Sequence, residues 1–187
     1  MRVVSGKARG ISLNSVPGDG TRPILDRVKT ALFDILRPRI QGIRVLDLFG
    51  GAGSVGIEAL SQGAEHCVFL DLSAAAVKTI KENLAATRLS DQAEVRHTDA
   101  FGYLRHTSKT FDLLYVAPPQ FESLWVQAMH IVAERPELVS ENGLVIVQID
   151  PKEYEALQLA DFKEVQQRSY GNTLLVFYER VVGARPS

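Results

Sequence analysis

A glycine-rich turn constrains what this chain can fold into more than any other feature. An apolar run at 43–49 leads into Gly51 and Gly53, and the pattern then becomes helical at 54–62. Glycines are needed where a backbone turns sharply and lets a ligand approach closely. The turn therefore predicts a buried strand, a ligand-binding loop and a helix in succession.

Asp47, just before the glycines, discriminates between two classes of ligand. Gly51, Gly53 and Gly56 also satisfy the spacing of a dinucleotide-binding turn, so the glycines alone leave that class open. A dinucleotide places its pyrophosphate at the N-terminus of the following helix, where the carboxylate of Asp47 would repel it. A ligand with an ammonium group and no phosphate, such as S-adenosylmethionine, would be attracted.

Apolar runs and helical patterns alternate after Arg44. The apolar runs predict buried parallel strands at 43–49, 66–71, 111–116 and 143–149, with a weaker strand at 93–97. The helical patterns lie at 54–62, 73–87 and 121–134. Two last runs, 162–169 and 173–178, flank a turn and predict an antiparallel hairpin. We therefore expect an α/β fold: a doubly wound, mostly parallel, Rossmann-like seven-stranded sheet that a C-terminal antiparallel hairpin closes.

Two further carboxylates follow the next two predicted strands. Asp71 ends the second strand, about 20 residues after the glycines, where an acid accepts both ribose hydroxyls. Asp99 follows the third strand, where it can accept a hydrogen bond from an adenine amine. Because ligands of open α/β sheets bind at the carboxyl ends of the strands, Asp47, Asp71 and Asp99 are expected to line one crevice. The alternative is that they only cap helices.

The first 42 residues form a basic segment with its own pattern. Residues 1–44 contain nine Lys and Arg against three Asp, whereas the whole chain carries a net charge of −1. Such asymmetry favours a polyanionic partner, although a solvated face that binds nothing is equally compatible with it. We expect an arm or β-hairpin at 2–13 and a helix at 26–36 with an apolar stripe of Val28, Ala31, Leu32 and Ile35. The predicted domains are 1–42, a small basic appendage with a β-hairpin and a helix, and 43–187, the cofactor-binding domain.

Composition excludes several classes. The chain has 187 residues, of which 45% are hydrophobic, and no apolar run approaches the roughly 18 residues that span a bilayer. The N-terminus lacks the apolar core of a signal peptide. Cys67 is the single cysteine, which excludes an internal disulfide, and it is expected to be buried in its strand. The four His are not at metal-ligand spacing. We expect a cytoplasmic monomer without a metal or a membrane partner.

The fourth strand ends in two prolines, which fix a rigid loop, Ala117-Pro118-Pro119-Gln120-Phe121. With this loop, the chain resembles the bacterial small-subunit (16S) ribosomal RNA guanine-N2 methyltransferase family. The other matching segments run in order over almost the full length: RVVSGKARG at 2–10, TRP at 21–23, DRVKTALF at 26–33, the glycine turn at 47–60 and YGNT at 170–173. The N-terminal segments are the specific part, since many methyltransferases share the glycine turn.

The resemblance implies transfer of a methyl group from S-adenosylmethionine to the exocyclic N2 amine of one guanine. The partner is then ribosomal RNA or a small ribosomal subunit particle. The residues that match the cofactor site are Asp47, Phe49, Gly51, Gly53, Asp71, Leu72, Asp99 and Ala100, with Thr21 and Arg22 closing over the methionine end. The residues that match the RNA-binding head are Arg2, Lys7, Arg9, Arg22 and Arg27.

The chain departs from the family at the chemical centre. The family has Asp or Asn, then two prolines, then Tyr or Phe; the acid or amide orients the target amine and the aromatic stacks on the flipped base. Here Ala117 and Gln120 occupy the outer positions. We expect Gln120 or the Pro118 carbonyl to orient the amine and Phe121 to stack, unless Phe121 is only part of the buried face of the next helix.

Two other functions remain as alternatives. One is an RNA- or ribosome-binding protein with the methyltransferase fold, whose methylation is weak or altered because of Ala117 and Gln120. The other is a nicotinamide oxidoreductase, which Asp47 and the terminal hairpin disfavour.

Overall fold

The computed structural model describes residues 1–18 and 23–182, and the chain divides into two compact units, Met1–Ala100 and Phe101–Ser187. The elements of the first unit are α1 (Asp26–Leu36), β1 (Arg44–Asp47), α2 (Ser54–Ser61), β2 (His66–Asp71), α3 (Ala74–Thr87) and β3 (Ala93–His97). Helix α4 (Ala100–His106) begins at the boundary. It is followed by β4 (Phe111–Val116), α5 (Leu124–Glu134), β5 (Val139–Ile149), β6 (Phe162–Tyr170) and β7 (Thr173–Arg180).

The seven strands form one mixed sheet with the order β3-β2-β1-β4-β5-β7-β6. In the first unit β2 pairs in parallel with both β1 and β3, and in the second unit β4 pairs in parallel with β5. β7 pairs antiparallel with β5 and with β6, and Gly171 and Asn172 form the turn of the hairpin. The predicted mostly parallel sheet with a C-terminal antiparallel hairpin is therefore confirmed.

The core of the first unit follows from its apolar pattern. The side chains from Cys67 to Leu70 in β2 are fully buried, so the prediction for Cys67 is confirmed. In α3 the hydroxyl of Ser73 accepts the Ala76 N–H at 3.2 Å, which caps the first turn. One face of α3 is buried against the strands, as its 3.6-residue period predicts.

Helix α1 has the predicted bounds but a different buried face. Val28 and Leu32 are buried as expected, whereas Ala31 and Ile35 are half exposed. The other buried side chains of the helix are Lys29, Phe33 and Leu36. The apolar pattern cannot indicate this face, because one of the buried residues is Lys29, whose charge is balanced by Glu58, an acid far away in the sequence.

Several short features differ from the sequence prediction. Helix α4 has seven residues and the turn Pro151–Glu153 has three, both too short for a period to be read. Helix α5 begins at Leu124 rather than 121, because Phe121 and Ser123 have φ of 63° and 55° and cannot continue a right-handed helix. Among the described helices, none has the length and apolar character that a membrane span requires.

Candidate functional site

The glycine turn is tied to the end of β2 by backbone hydrogen bonds. The Gly50 N–H donates to the Leu70 carbonyl at 2.7 Å. The Asp71 carboxylate accepts the Gly51 N–H at 2.9 Å and, with its other oxygen, the Ser73 N–H at 2.8 Å. Asp71 therefore fixes the turn after β1 to the turn after β2. Each of its oxygens retains acceptor capacity for a further donor.

Gly56 allows α2 to pack closely on β2. A Cβ atom at this position would lie 2.3 Å from Cε1 of Phe69 and 2.8 Å from Sγ of Cys67. Gly53 precedes the helix with φ of 82°, a conformation that L side chains rarely adopt. The glycines thus serve two physical needs, backbone conformation before the helix and contact of the helix with the strand.

Asp47 is the most unusual group of the first unit. Its side chain is 2% exposed, and its Oδ1 has no hydrogen-bond partner among the described residues. Burial, and then the nearby charge of Asp71, raise the pKa of Asp47 to about 7, against the opposing effect of backbone hydrogen bonds from Gly56 and Phe49. An unpartnered buried acceptor is costly unless a ligand satisfies it. Oδ1 of Asp47, an acceptor without a hydrogen-bond donor among the described residues, fits a cofactor that carries a cationic N–H group.

The other residues predicted to bind the cofactor follow the same three strands. Phe49 is half exposed after β1, and Leu72 follows Asp71 with its side chain 68% exposed. Asp99 is exposed after β3, and Ala100 is buried at the start of α4. Asp47, Asp71 and Asp99 therefore follow or end three adjacent parallel strands. Thr21 and Arg22 lie outside the described residues.

In the second unit the loop after β4 presents polar and aromatic groups to solvent. Pro118 is buried and Ala117 half buried, whereas Pro119 and Gln120 are exposed. Phe121 is 63% exposed, so it is not part of the buried face of α5. Trp125 is 1% exposed and belongs to that face.

The loop is held by a residue that the sequence did not indicate. The Phe121 N–H donates to Oε1 of Glu153 at 2.7 Å, and the Asp150 N–H donates to Oε2 of the same carboxylate at 3.2 Å. Glu153 lies 32 residues after Phe121. A contact over that distance along the chain leaves no periodic signal, so sequence reasoning had no means of finding it.

The first 13 residues, here called the N-terminal arm, form a hairpin-like segment with an antiparallel bridge between Arg2 and Ser12. The Val4 and Ser5 N–H groups donate to the two carboxylate oxygens of Glu58, at 2.8 and 3.1 Å. The arm is thereby fastened to α2, the helix that follows the glycine turn. The predicted arm is confirmed, while the domain boundary after residue 42 stays a prediction.

Lys29 and Glu58 form a fully buried ion pair beneath the arm. Their Nζ and Oε1 atoms are 3.2 Å apart, and both side chains are 0% exposed. Lys29 also donates to the Arg2 carbonyl at 2.6 Å and to Oγ of Ser54 at 2.9 Å. Burial lowers the pKa of Lys29, although the Glu58 carboxylate acts in the opposite direction. Lys29 thus joins the arm, α1 and the first residue of α2.

The arm leaves its basic side chains on the surface. Arg2, Lys7 and Arg9 of the arm are exposed, and so is Arg27 in α1. Nε of Arg2 lies 3.4 Å from a carboxylate oxygen of Asp26. Lys29 does not add to this surface charge, because it is buried with Glu58. Among the residues that the structure describes, no cluster of three or more His, Cys, Asp or Glu could hold a metal ion.

Comparison with known proteins gives matches over almost the whole chain. A family described as "Conserved hypothetical protein 95" matches residues 1–179. YlbH of Bacillus subtilis (strain 168) is 34% identical over 183 residues, which cover 96% of this chain and 99% of YlbH. Ribosomal RNA small subunit methyltransferase D of Haemophilus influenzae is 33% identical over 182 residues, which cover 92% of this chain and 94% of that protein.

Solved structures show the same fold. The structure of yhhF from Escherichia coli has a TM-score of 0.84 and 26% identity, and the match covers 96% of this chain and 97% of that chain. The structure of SMU.776 in complex with SAH has a TM-score of 0.70 and 21% identity, covering 92% of this chain and 54% of that chain. The family match spans nearly the whole sequence, from the arm to the end of the terminal hairpin. The chain therefore belongs to the Conserved hypothetical protein 95 family, among relatives that include ribosomal RNA small subunit methyltransferases.

Proposed function

We propose that this protein transfers a methyl group from S-adenosylmethionine to the exocyclic N2 amine of a guanine in 16S ribosomal RNA. Relatives named ribosomal RNA small subunit methyltransferase D support S-adenosylmethionine-dependent methylation of ribosomal RNA. The observation that carries the proposal is the unpartnered, buried oxygen of Asp47. It calls for a cationic donor, which S-adenosylmethionine has and a dinucleotide phosphate lacks.

The first unit holds the cofactor in this proposal. Asp47 attracts the ammonium of the methionine end, Asp71 accepts the ribose hydroxyls and Asp99 accepts the adenine amine. Asp71 is already fixed in place by the Gly51 and Ser73 N–H groups, so it needs no rearrangement to accept further hydrogen bonds. The sulfonium of the cofactor supplies the electrophilic methyl group.

The loop after β4 receives the guanine. The Pro118 carbonyl or the Gln120 amide oxygen accepts a hydrogen bond from the N2 amine, which orients the nitrogen lone pair for attack. Phe121 stacks on the extruded base, and its exposed ring is available for that contact. Stacking on an aromatic contributes about 1–3 kcal/mol per base.

The exposed Arg2, Lys7, Arg9 and Arg27 hold RNA phosphates. Such contacts position the substrate without reading its sequence, so they account for RNA affinity rather than for the choice of guanine. Their effect should weaken as the salt concentration rises, because counterions compete for the same phosphates.

A second function is an RNA- or ribosome-binding protein that methylates weakly or at another target. Ala117 is the observation that favours it, because its methyl group cannot accept the hydrogen bond that an acid or amide accepts there. Replacing Ala117 with Asp separates the two functions. If the natural protein is an active enzyme, Ala117→Asp should change the rate of methyl transfer by less than about tenfold, which is the effect of one ordinary hydrogen bond. If the protein lost its activity because of Ala117, the same substitution should raise the rate by far more than about tenfold.

Substitutions in the loop test the proposed roles. Phe121→Ala should lower methyl transfer by about tenfold or more, since it removes a stacking interaction of about 1–3 kcal/mol. Gln120→Ala should also lower it if the Gln120 amide, rather than the Pro118 carbonyl, orients the amine. Affinity for S-adenosylmethionine, measured by calorimetric titration, should stay unchanged, and a nicotinamide dinucleotide should not bind. If both variants transfer methyl at the original rate, the proposed arrangement of the loop is wrong.

A further inference from the structure

Phe121 combines two features that are unfavourable in a protein without a ligand. Its backbone has a φ of 63°, in the left-handed region that residues other than glycine seldom occupy. Its ring is 63% exposed, so it gains little from burial to offset that strain. Ser123, two residues later, also has a left-handed backbone, with φ of 55°. Strain of this kind persists only where surrounding contacts enforce it.

The contact that enforces it is the carboxylate of Glu153. Oε1 accepts the Phe121 N–H at 2.7 Å, a short distance that is typical of a charge-assisted hydrogen bond. Oε2 accepts the Asp150 N–H at 3.2 Å. One half-buried side chain thus joins the loop after β4 to the turn after β5.

The turn that carries Glu153 is itself well supported. Oδ1 of Asp150 accepts the Lys152 N–H at 2.8 Å, and the side chains of Asp150 and Glu153 also form a reciprocal capping box with each other's backbone N–H. Pro151 fixes φ at the first position of the turn. On the far side, the Tyr154 hydroxyl donates to Oε1 of Glu164 in β6 at 2.7 Å. Glu153 therefore extends from a turn that is fixed at both of its ends.

We propose that Glu153 is a positioning residue, which holds the backbone of Phe121 so that the aromatic ring faces the substrate base. The inference rests on the proposed stacking of guanine on Phe121. A carboxylate suits this task because both of its oxygens accept, and both facing groups are N–H donors. A glutamine would turn its amide nitrogen toward one of those donors and lose that hydrogen bond.

The test is a double-mutant cycle measured by methyl transfer to small-subunit RNA. Glu153→Ala should lower kcat by about tenfold or more, as expected for the loss of a hydrogen bond to a charged group. Glu153→Gln, which retains one accepting oxygen, should fall between the wild type and Glu153→Ala. In a Phe121→Ala background, Glu153→Ala should cause little further loss, because its effect passes through the missing ring. Affinity for S-adenosylmethionine should remain at the wild-type value in every variant.

Glu155→Ala is the matched control, since Glu155 is an exposed acid two residues along the same segment. It should leave kcat unchanged, which separates positioning from a general change of charge near the RNA. An equal loss from Glu153→Ala with and without Phe121 would overturn the inference, as would no loss at all. If Phe121→Ala lowers transfer and Glu153→Ala does not, only the positioning role fails. If the wild-type protein transfers no methyl, the proposed function fails and this inference fails with it.

Discussion

The carboxyl of Asp47 is expected to be about half ionised near neutral pH in the cofactor-free protein, because burial raises its pKa to about 7. The α-amino group of a ligand has a pKa near 8 and stays charged at pH 6. Binding of S-adenosylmethionine at pH 6 should therefore ionise Asp47 and release close to one proton. Calorimetry in buffers of different ionisation enthalpy measures that release directly.

Asp47→Asn is the control for this prediction. It should abolish the proton release and weaken cofactor binding, because the amide has no charge to offer. The raised pKa of Asp47 also affects stability. Asp47 contributes to the free energy of unfolding fully below its unfolded pKa, and this contribution is lost as the pH rises toward about 7. In cofactor-free Asp47→Asn, the free energy of unfolding should not show this decrease with pH. Proton release that is the same in both proteins would contradict the assignment of Asp47.

Lys29 should contribute strongly to the stability of the fold, because it is fully buried and paired with Glu58. Lys29→Met leaves the Glu58 carboxylate buried without its counter-charge, which typically costs about 3–5 kcal/mol. Lys78→Met is a suitable control, because Lys78 pairs with Glu82 on the surface at 3.9 Å and exposed pairs contribute little. Urea unfolding of both variants measures the difference. A loss of less than about 1 kcal/mol for Lys29→Met would contradict the structural role of the ion pair.

Residues of the candidate site could be predicted where a reactive or charged side chain lies at a sequence position that local patterns identify, such as the end of a strand. Asp47 and Asp71 could be singled out as candidates because each ends a predicted strand, Asp47 just before the glycine turn and Asp71 about 20 residues after it. Lys29 and Glu153 were not found, because their functions depend on partners 29 and 32 residues away along the chain, in Glu58 and Phe121. Local patterns contain no information about such pairs.

Among the elements, the packing of the N-terminal arm on α2 can be tested with two matched substitutions in the arm itself. A Cβ at Gly6 would lie 2.0 Å from the carbonyl oxygen of Ser61, whereas a Cβ at Gly10 would contact nothing within 4 Å. Both glycines have a left-handed backbone, with φ of 87° and 86°. Alanine at either position therefore carries the same backbone strain, and only Gly6→Ala also collides with α2.

Gly6→Ala should detach the arm and Gly10→Ala should leave it docked. Hydrogen exchange in residues 1–13 should rise for Gly6→Ala only. RNA affinity at low salt should fall in that variant by several-fold or more, since the arm carries Arg2, Lys7 and Arg9. If Gly6→Ala exposes the arm and RNA affinity does not change, the arm is not the RNA-binding element.

The strands were predicted more accurately than the short helices and turns. A buried strand of six mostly apolar residues has a clear pattern, and β2 and β4 have the predicted bounds. Helix α4 and the turn Pro151–Glu153 have too few residues for a period. The start of α5 was predicted three residues early, because left-handed residues such as Phe121 and Ser123 have no signature in composition.

At the scale of the whole molecule, the fold was predictable because alternating runs of strand and helix leave few topologies. The function is less constrained, since one fold serves many reactions. The function proposed here depends on a glycine turn, the buried Asp47, a basic arm and an exposed aromatic residue in a proline loop. The departure at Ala117 means that the family pattern alone does not establish the reaction.

The most direct test of the central claim is transfer of labelled methyl from S-adenosylmethionine to small ribosomal subunits that lack native guanine methylation, followed by identification of the labelled nucleoside. The proposed function predicts label in N2-methylguanosine of 16S RNA, with the signal strongly reduced in Phe121→Ala. Absence of label despite measurable binding of S-adenosylmethionine, or label in another nucleoside, would contradict the proposed function.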